Sequence, residues 1–102
     1  MFVYSLTISV LEEEAINWMI WMRTEQLSAI METSCFDEVS IKELVEPKAQ
    51  EGMRTFNFQF MARTMEHIQA YMRSHAPAIH AKHDEKYKGK YMAFDTILKE
   101  IL

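Results

Sequence analysis

Glycine and proline are scarce, at two residues each among 102, which excludes collagen-like, linker-like and low-complexity chains. The single cysteine, Cys35, cannot close an intrachain disulfide. A secreted domain of this size more often carries several, so a reducing cytoplasm is the expected compartment. No stretch approaches the ~20 apolar residues of a membrane-spanning helix. The partly apolar Met1–Leu11 lacks a basic leader and runs into Glu12-Glu13-Glu14, so neither a signal peptide nor a membrane partner is expected. Bases are outnumbered by acids, 11 to 15, for a formal net charge of -4, which argues against a nucleic-acid partner. Gly-rich phosphate loops, GxSxG and HExxH are all missing, removing the commonest recognisable enzyme classes. What is present is ordinary: 49% hydrophobic and 25% charged residues, a length suited to one domain over residues 1–102, and a core burying roughly 65% of the unfolded surface.

The pattern of apolar residues predicts six elements. Phe2, Tyr4, Leu6, Ile8 and Val10 alternate with Ser5, Thr7 and Ser9, the period of a half-buried strand. Glu12–Glu14 place acid at the start of a helix running to about Thr33. Its apolar arc holds Ala15, Trp18, Met19, Met22, Leu27 and Ile30. A second strand is expected over Phe36–Glu46 and a third over Met53–Ala62, the latter with Phe56, Phe58 and Phe60 on one face. Thr64 caps the next helix, Pro77 breaks or restarts it, and Gly89 closes it. Tyr91 to about Leu98 forms the last strand. The order βαββαβ predicts an α+β, ferredoxin-like sandwich: one four-stranded antiparallel sheet with two helices on one face. The other face would then present parts of the aromatic stripe to a partner. Charge divides unevenly, with ten acids against Arg23, Lys42 and Lys48 in residues 1–51, and eight bases against five acids in residues 52–102.

Few residues carry recognisable chemistry. His80 and His83 lie one helical turn apart, with His75 nearby, yet no further ligand follows at metal-binding spacing. No metal or cofactor is expected. An imidazole suits acid–base work near neutrality, but a histidine among apolar neighbours suits a core equally. Cys35 precedes Asp37 and Glu38, which oppose a reactive thiolate and favour a buried filler. The nine methionines are read as packing. Phe56, Phe58 and Phe60 invite comparison with RNA-recognition modules, whose Lys/Arg-Gly-aromatic start is absent. Core packing or a dimer interface explains the stripe more simply. Trp21 falls among Asn17, Thr24, Glu25 and Ser28, so it is expected to pack on another chain or a returning segment.

The segments Trp18-Met19-Ile20-Trp21-Met22, Met31-Glu32-Thr33 and Cys35-Phe36 resemble a small bacterial family, the domain of unknown function 4286. So do Phe58-Gln59-Phe60, Tyr71, His75-Ala76-Pro77-Ala78, His83, Tyr87, Gly89-Lys90, Phe94 and Thr96-Ile97-Leu98. The resemblance implies a ferredoxin-like fold of the dimeric α+β barrel type, a homodimer, and no defined activity. Its pattern places His-Ile-Pro where this chain has Gln26-Leu27-Ser28, Gly where it has Ser34, and Arg where it has Asp95.

Two functional expectations follow. One is a homodimeric domain with a small-molecule or protein-interaction role, whose interface takes in Trp21, Phe56, Phe58, Phe60, Ile101 and Leu102. The other is a small cofactor-independent enzyme of the oxygenase or isomerase kind, by fold analogy alone. Its pocket between helices and sheet would use Trp18, Tyr71, His75 and His83. An enclosed cavity with converging polar groups separates the second from a dry, packed core.

Overall fold

The computed structural model describes all 102 residues. Strand β1 (Phe2–Leu11) leads through a short 3-10 turn, Glu12–Glu14, into α1 (Ala15–Trp21). A π-helical turn, Met22–Gln26, joins α1 to α2 (Leu27–Met31) with helical backbone throughout. Strands β2 (Glu38–Glu43) and β3 (Met53–Ala62) follow. Then come α3 (Met65–Ser74), α4 (Ala76–Tyr87) and β4 (Tyr91–Lys99). The sheet order is β2-β3-β1-β4 with every neighbouring pair antiparallel, which is the ferredoxin-like α+β arrangement. No helix is long and apolar enough to cross a membrane.

Local chemistry sets the boundaries. The Thr64 side chain accepts a hydrogen bond from the His67 backbone N–H and starts α3. Pro77 sits in the first turn of α4, where no amide hydrogen is needed. Gly89 takes φ +79° just beyond that helix. The first helix ends on Ser34, which holds φ +62° without being glycine. An L-residue pays to enter that region. Ser34→Gly is therefore expected to stabilise the protein by about 1 kcal/mol after glycine's greater unfolded-state freedom is counted. A denaturant midpoint that does not rise would contradict this.

The register decides which face each strand residue joins. Tyr4, Leu6 and Ile8 on β1 stand opposite Phe60, Phe58 and Phe56 on β3, and all these side chains lie under the helices. Phe58 and Phe60 are 0% exposed, and Phe56 is buried against Trp18 with ring centroids 5.5 Å apart. The phenylalanine stripe is thus core, correcting its assignment to the interface. The cause is phase: a period of two shows which residues share a face, not which face the helices cover. The open face carries Ser5, Thr7, Ser9, Thr55 and Asn57, where the Asn57 amide donates to the Ser5 and Thr7 hydroxyls.

The second strand is shorter than the expected Phe36–Glu46. Phe36 instead turns inward before it, stacking within 6.1 Å of Tyr4, Phe60 and Tyr71. Strand β4 is the contrast to its neighbours. Apart from half-buried Tyr91 it is exposed along its length, with Phe94 64% accessible and Met92 and Leu98 beside it on the open face.

Candidate functional site

A cavity of about 450 Å³ lies between the helices and the β1–β4 half of the sheet. That is within the usual size range for small-molecule sites. Leu6 and Ile8 form its floor with Tyr91, Ala93 and Asp95 of β4, and Met22, Gln26 and Ile30 close one side. Ile79, His80, His83 and Asp84 of α4 and Tyr71 of α3 close the other. Most of this lining is apolar; the polar side chains are Gln26, His80, His83, Asp84 and Asp95, with the Tyr71 and Tyr91 hydroxyls.

The π-helical turn brings Gln26 here. Its defining hydrogen bond runs from the Leu27 N–H to the Met22 carbonyl, five residues back. Such turns are recurrent at functional sites. Gln26 is only 2% exposed, and its amide nitrogen donates to the Ile79 carbonyl at 3.1 Å. Because a carbonyl only accepts, that bond fixes the amide orientation and leaves Gln26 Oε1 as an acceptor.

His83 sits in an aromatic box. The Tyr91 ring meets it edge-on at 4.2 Å, with Trp18, Trp21 and Tyr87 within 6.2 Å. The Trp18 indole N–H donates to His83 Nε2 at 2.9 Å. An indole only donates, so Nε2 holds the lone pair and Nδ1 carries the proton. Burial lowers the pKa of His83, opposed by Asp84 and aided by His80.

The sign of the linkage follows. The unfolded histidine titrates near ~6.5, and the folded one below that. Above ~6.5 both states are neutral; as pH falls through this value the unfolded chain takes up the proton first, and stability is lost. NMR of the imidazole is expected to show a midpoint below ~6.5. A midpoint at or above that value would contradict the buried, neutral assignment.

Two carboxylates face the cavity, each held by a tyrosine from elsewhere in the fold. The Tyr4 hydroxyl donates to Asp95 Oδ2 at 2.8 Å, and the Tyr91 hydroxyl donates to Asp84 Oδ1. Burial first, then Asp84, pushes Tyr91 up to about 12. Burial first, then Asp95, raises Tyr4 as well. Both phenols therefore stay protonated donors at neutral pH, and each carboxylate keeps a second oxygen uncommitted.

Of the pocket residues expected from sequence, Tyr71 and His83 line the cavity. Trp18 stands behind His83, fully buried and in contact with it rather than with the space. His75 stacks on the outer side of Tyr71 at 6.4 Å and does not line it. The break between α3 and α4 falls at His75 and turns it off the inward face. His80 and His83 share helical spacing but not surroundings, one exposed and the other buried.

Trp21 is half-buried and packs on His83 and Tyr87 at 5.8 and 5.6 Å, under the Lys86 ammonium. The returning segment is thus α4 of the same chain, and no second chain is needed to shelter the indole. Gln26, Asp84, Tyr91 and Asp95 were not singled out for the pocket by sequence reasoning. Gln26 and Asp95, noted in the sequence as departures from the resemblance, both line this cavity.

No curated protein matches the sequence. Among solved structures, an EthD family protein from Bacillus halodurans superposes with a TM-score of 0.69 at 14% identity, covering 99% of this chain and 100% of that one. A dimeric ferredoxin-like protein from an uncultured marine organism gives 0.69 at 14% identity over 100% and 96% of the two chains. A variant of MhuD with two manganese protoporphyrin IX molecules bound per active site gives 0.65 at 16% identity over 98% and 95%. At these identities the likeness shows the fold. The model of one family, described as a domain of unknown function and designated DUF4286, matches residues 1–101, and the chain belongs to that family.

Proposed function

We propose that this protein is a small-molecule-binding domain that works as a homodimer, with the cavity between helices and sheet as its ligand site. The observation that carries the reading is the cavity itself, where Gln26, His83, Asp84 and Asp95 converge on an apolar space of about 450 Å³. The space is a cleft open at the β4 edge, where His80, Asp84, Ala93 and Asp95 are exposed, so a small molecule can enter it without rearrangement of the fold. The dimer is supported by the dimeric ferredoxin-like neighbour and by the apolar face of β4, which nothing in the chain covers. Ile101 and Leu102, beyond β4 and fully accessible, extend the same edge. The single buried thiol, Cys35, suits a reducing cytoplasm.

The catalytic alternative, an oxygenase or isomerase, needs a base at the cavity. His83 is a poor one, since its lone pair is taken by the Trp18 indole and its other nitrogen holds the proton. Asp84 and Asp95, each with one uncommitted oxygen, are the groups a proton-transfer reading would have to use.

The test is a ligand screen by thermal shift, since anything that binds the native state raises its melting temperature. It is paired with Ala93→Trp, which fills the cavity from β4. Hits that the variant abolishes support the reading; a broad screen without hits, or hits indifferent to Ala93→Trp, would overturn it. Sedimentation at micromolar concentration is expected to give twice the 12.1 kDa chain mass; a monomer would remove the dimer.

A further inference from the structure

We infer that the cavity selects a small apolar molecule carrying a protonated nitrogen, with Asp95 as its counter-charge. This rests on the ligand-binding reading above and names its chemical class.

The argument is an account of donors and acceptors. Asp84 and Asp95 each spend one carboxylate oxygen on a tyrosine hydroxyl and keep the other. Neither is engaged in an ion pair with a lysine or arginine. Gln26, only 2% exposed, donates its amide nitrogen to Ile79, and its Oε1 accepts from no group of the protein. The cavity thus offers three unspent acceptors, two of them charged.

No lysine or arginine lines the space. Two bases near α4 are engaged elsewhere: Lys90 pairs with Glu14 at 3.2 Å, and the Lys86 ammonium lies over the Trp21 ring. An anionic ligand would meet two carboxylates and no lysine or arginine, with only the imidazoles of His80 and His83 as lining bases; both carboxylates are solvent-exposed, so the repulsion is screened but still unfavourable. An ammonium group instead supplies the hydrogen-bond donors that these acceptors need. The Tyr71 and Tyr91 rings and the aliphatic floor of Leu6 and Ile8 suit an apolar or aromatic body.

Asp95 is the position of choice for the test. It projects from the helix-facing side of β4, opposite Leu6, so its charge can be changed without touching the helices.

The experiment uses three probes with one indole body and different heads: tryptamine, tryptophol and indole-3-acetate. Affinities are measured by NMR titration at about pH 7.5, where an alkylamine is protonated. Tryptamine is expected to bind at least about tenfold more tightly than either other probe. Asp95→Asn retains the acceptor for the Tyr4 hydroxyl and removes the charge. It is expected to erase most of that advantage and leave tryptophol unchanged, with a melting temperature near wild type. Asp95→Arg is expected to favour indole-3-acetate. Equal binding of the three probes, or preference of the wild type for the acetate, would overturn the charge assignment while the ligand cavity stands. Absence of binding by all three would overturn this inference, while the ligand-binding reading stands or falls by the broader screen and its Ala93→Trp control.

Discussion

Trp18→Ala is expected to cost about 4 kcal/mol of stability. The indole is wholly buried between Phe56, Phe58 and His83, so truncation opens a cavity under the sheet and strips His83 Nε2 of its donor. Small domains are stable by roughly 5–15 kcal/mol, so the variant would melt on the order of 20 °C lower. Trp18→Phe separates the two contributions. It keeps most of the packing and removes the N–H, for a smaller loss of about 1–2 kcal/mol. Because the indole proton stabilises the neutral imidazole, Trp18→Phe is also expected to raise the pKa of His83. Calorimetry and imidazole NMR on the two variants check both claims. An unmoved titration in Trp18→Phe would show that the hydrogen bond does not govern His83.

Phe94→Glu is expected to separate the dimer with little effect on the fold. The side chain lies on the open face of β4, 64% accessible in the single chain, opposite Thr7 in the strand register. A carboxylate can remain hydrated there in the monomer. In a dimer that covers the β4 face it must be desolvated without a partner, a cost of several kcal/mol. The dissociation constant should rise at least about a hundredfold, read by sedimentation across a dilution series. Circular dichroism should remain that of the wild type. A variant that stays dimeric would move the interface away from β4.

Much of the fold was legible because alternation and punctuation agree. Met53–Ala62 was bounded correctly by its phenylalanine period, and Thr64, Pro77 and Gly89 marked helix ends where the structure has them. What failed was orientation. The stripe of Phe56, Phe58 and Phe60 could face helices or a partner, and period alone is silent on the choice. The polar content of the intervening Thr55, Asn57 and Gln59 was the available clue. Trp21 was legible only as a choice between another chain and a returning segment, because a helical wheel has no neighbours; α4 is that segment, packing His83 and Tyr87 on the indole and widening the buried arc.

The site was harder still. Tyr4 and Asp95 are 91 positions apart, joined only by the pairing of the first and last strands. The π-helical turn that seats Gln26 has no signature in hydrophobic spacing, since it adds a single residue to a helix that otherwise reads as continuous. Tyr71 and His83 were recoverable because they lie on the inward faces of α3 and α4.

Strand β4 has a consequence for the energetics of the whole molecule. Its pleat sends Ala93 and Asp95 to the helix-facing side and Met92, Phe94 and Leu98 to the other, and residues of both sets border the cavity at this sheet edge, so one ribbon of backbone is shared by the ligand site and the proposed seam between copies. As an edge strand, it is paired on one side only. Whatever damps its fluctuation from one face damps it for the other, and linked equilibria are reciprocal. If the proposed ligand site and dimer both hold, occupancy of the cavity and assembly of the pair would be a single coupled process: dilution would weaken the hold on a ligand, and a ligand would resist dilution.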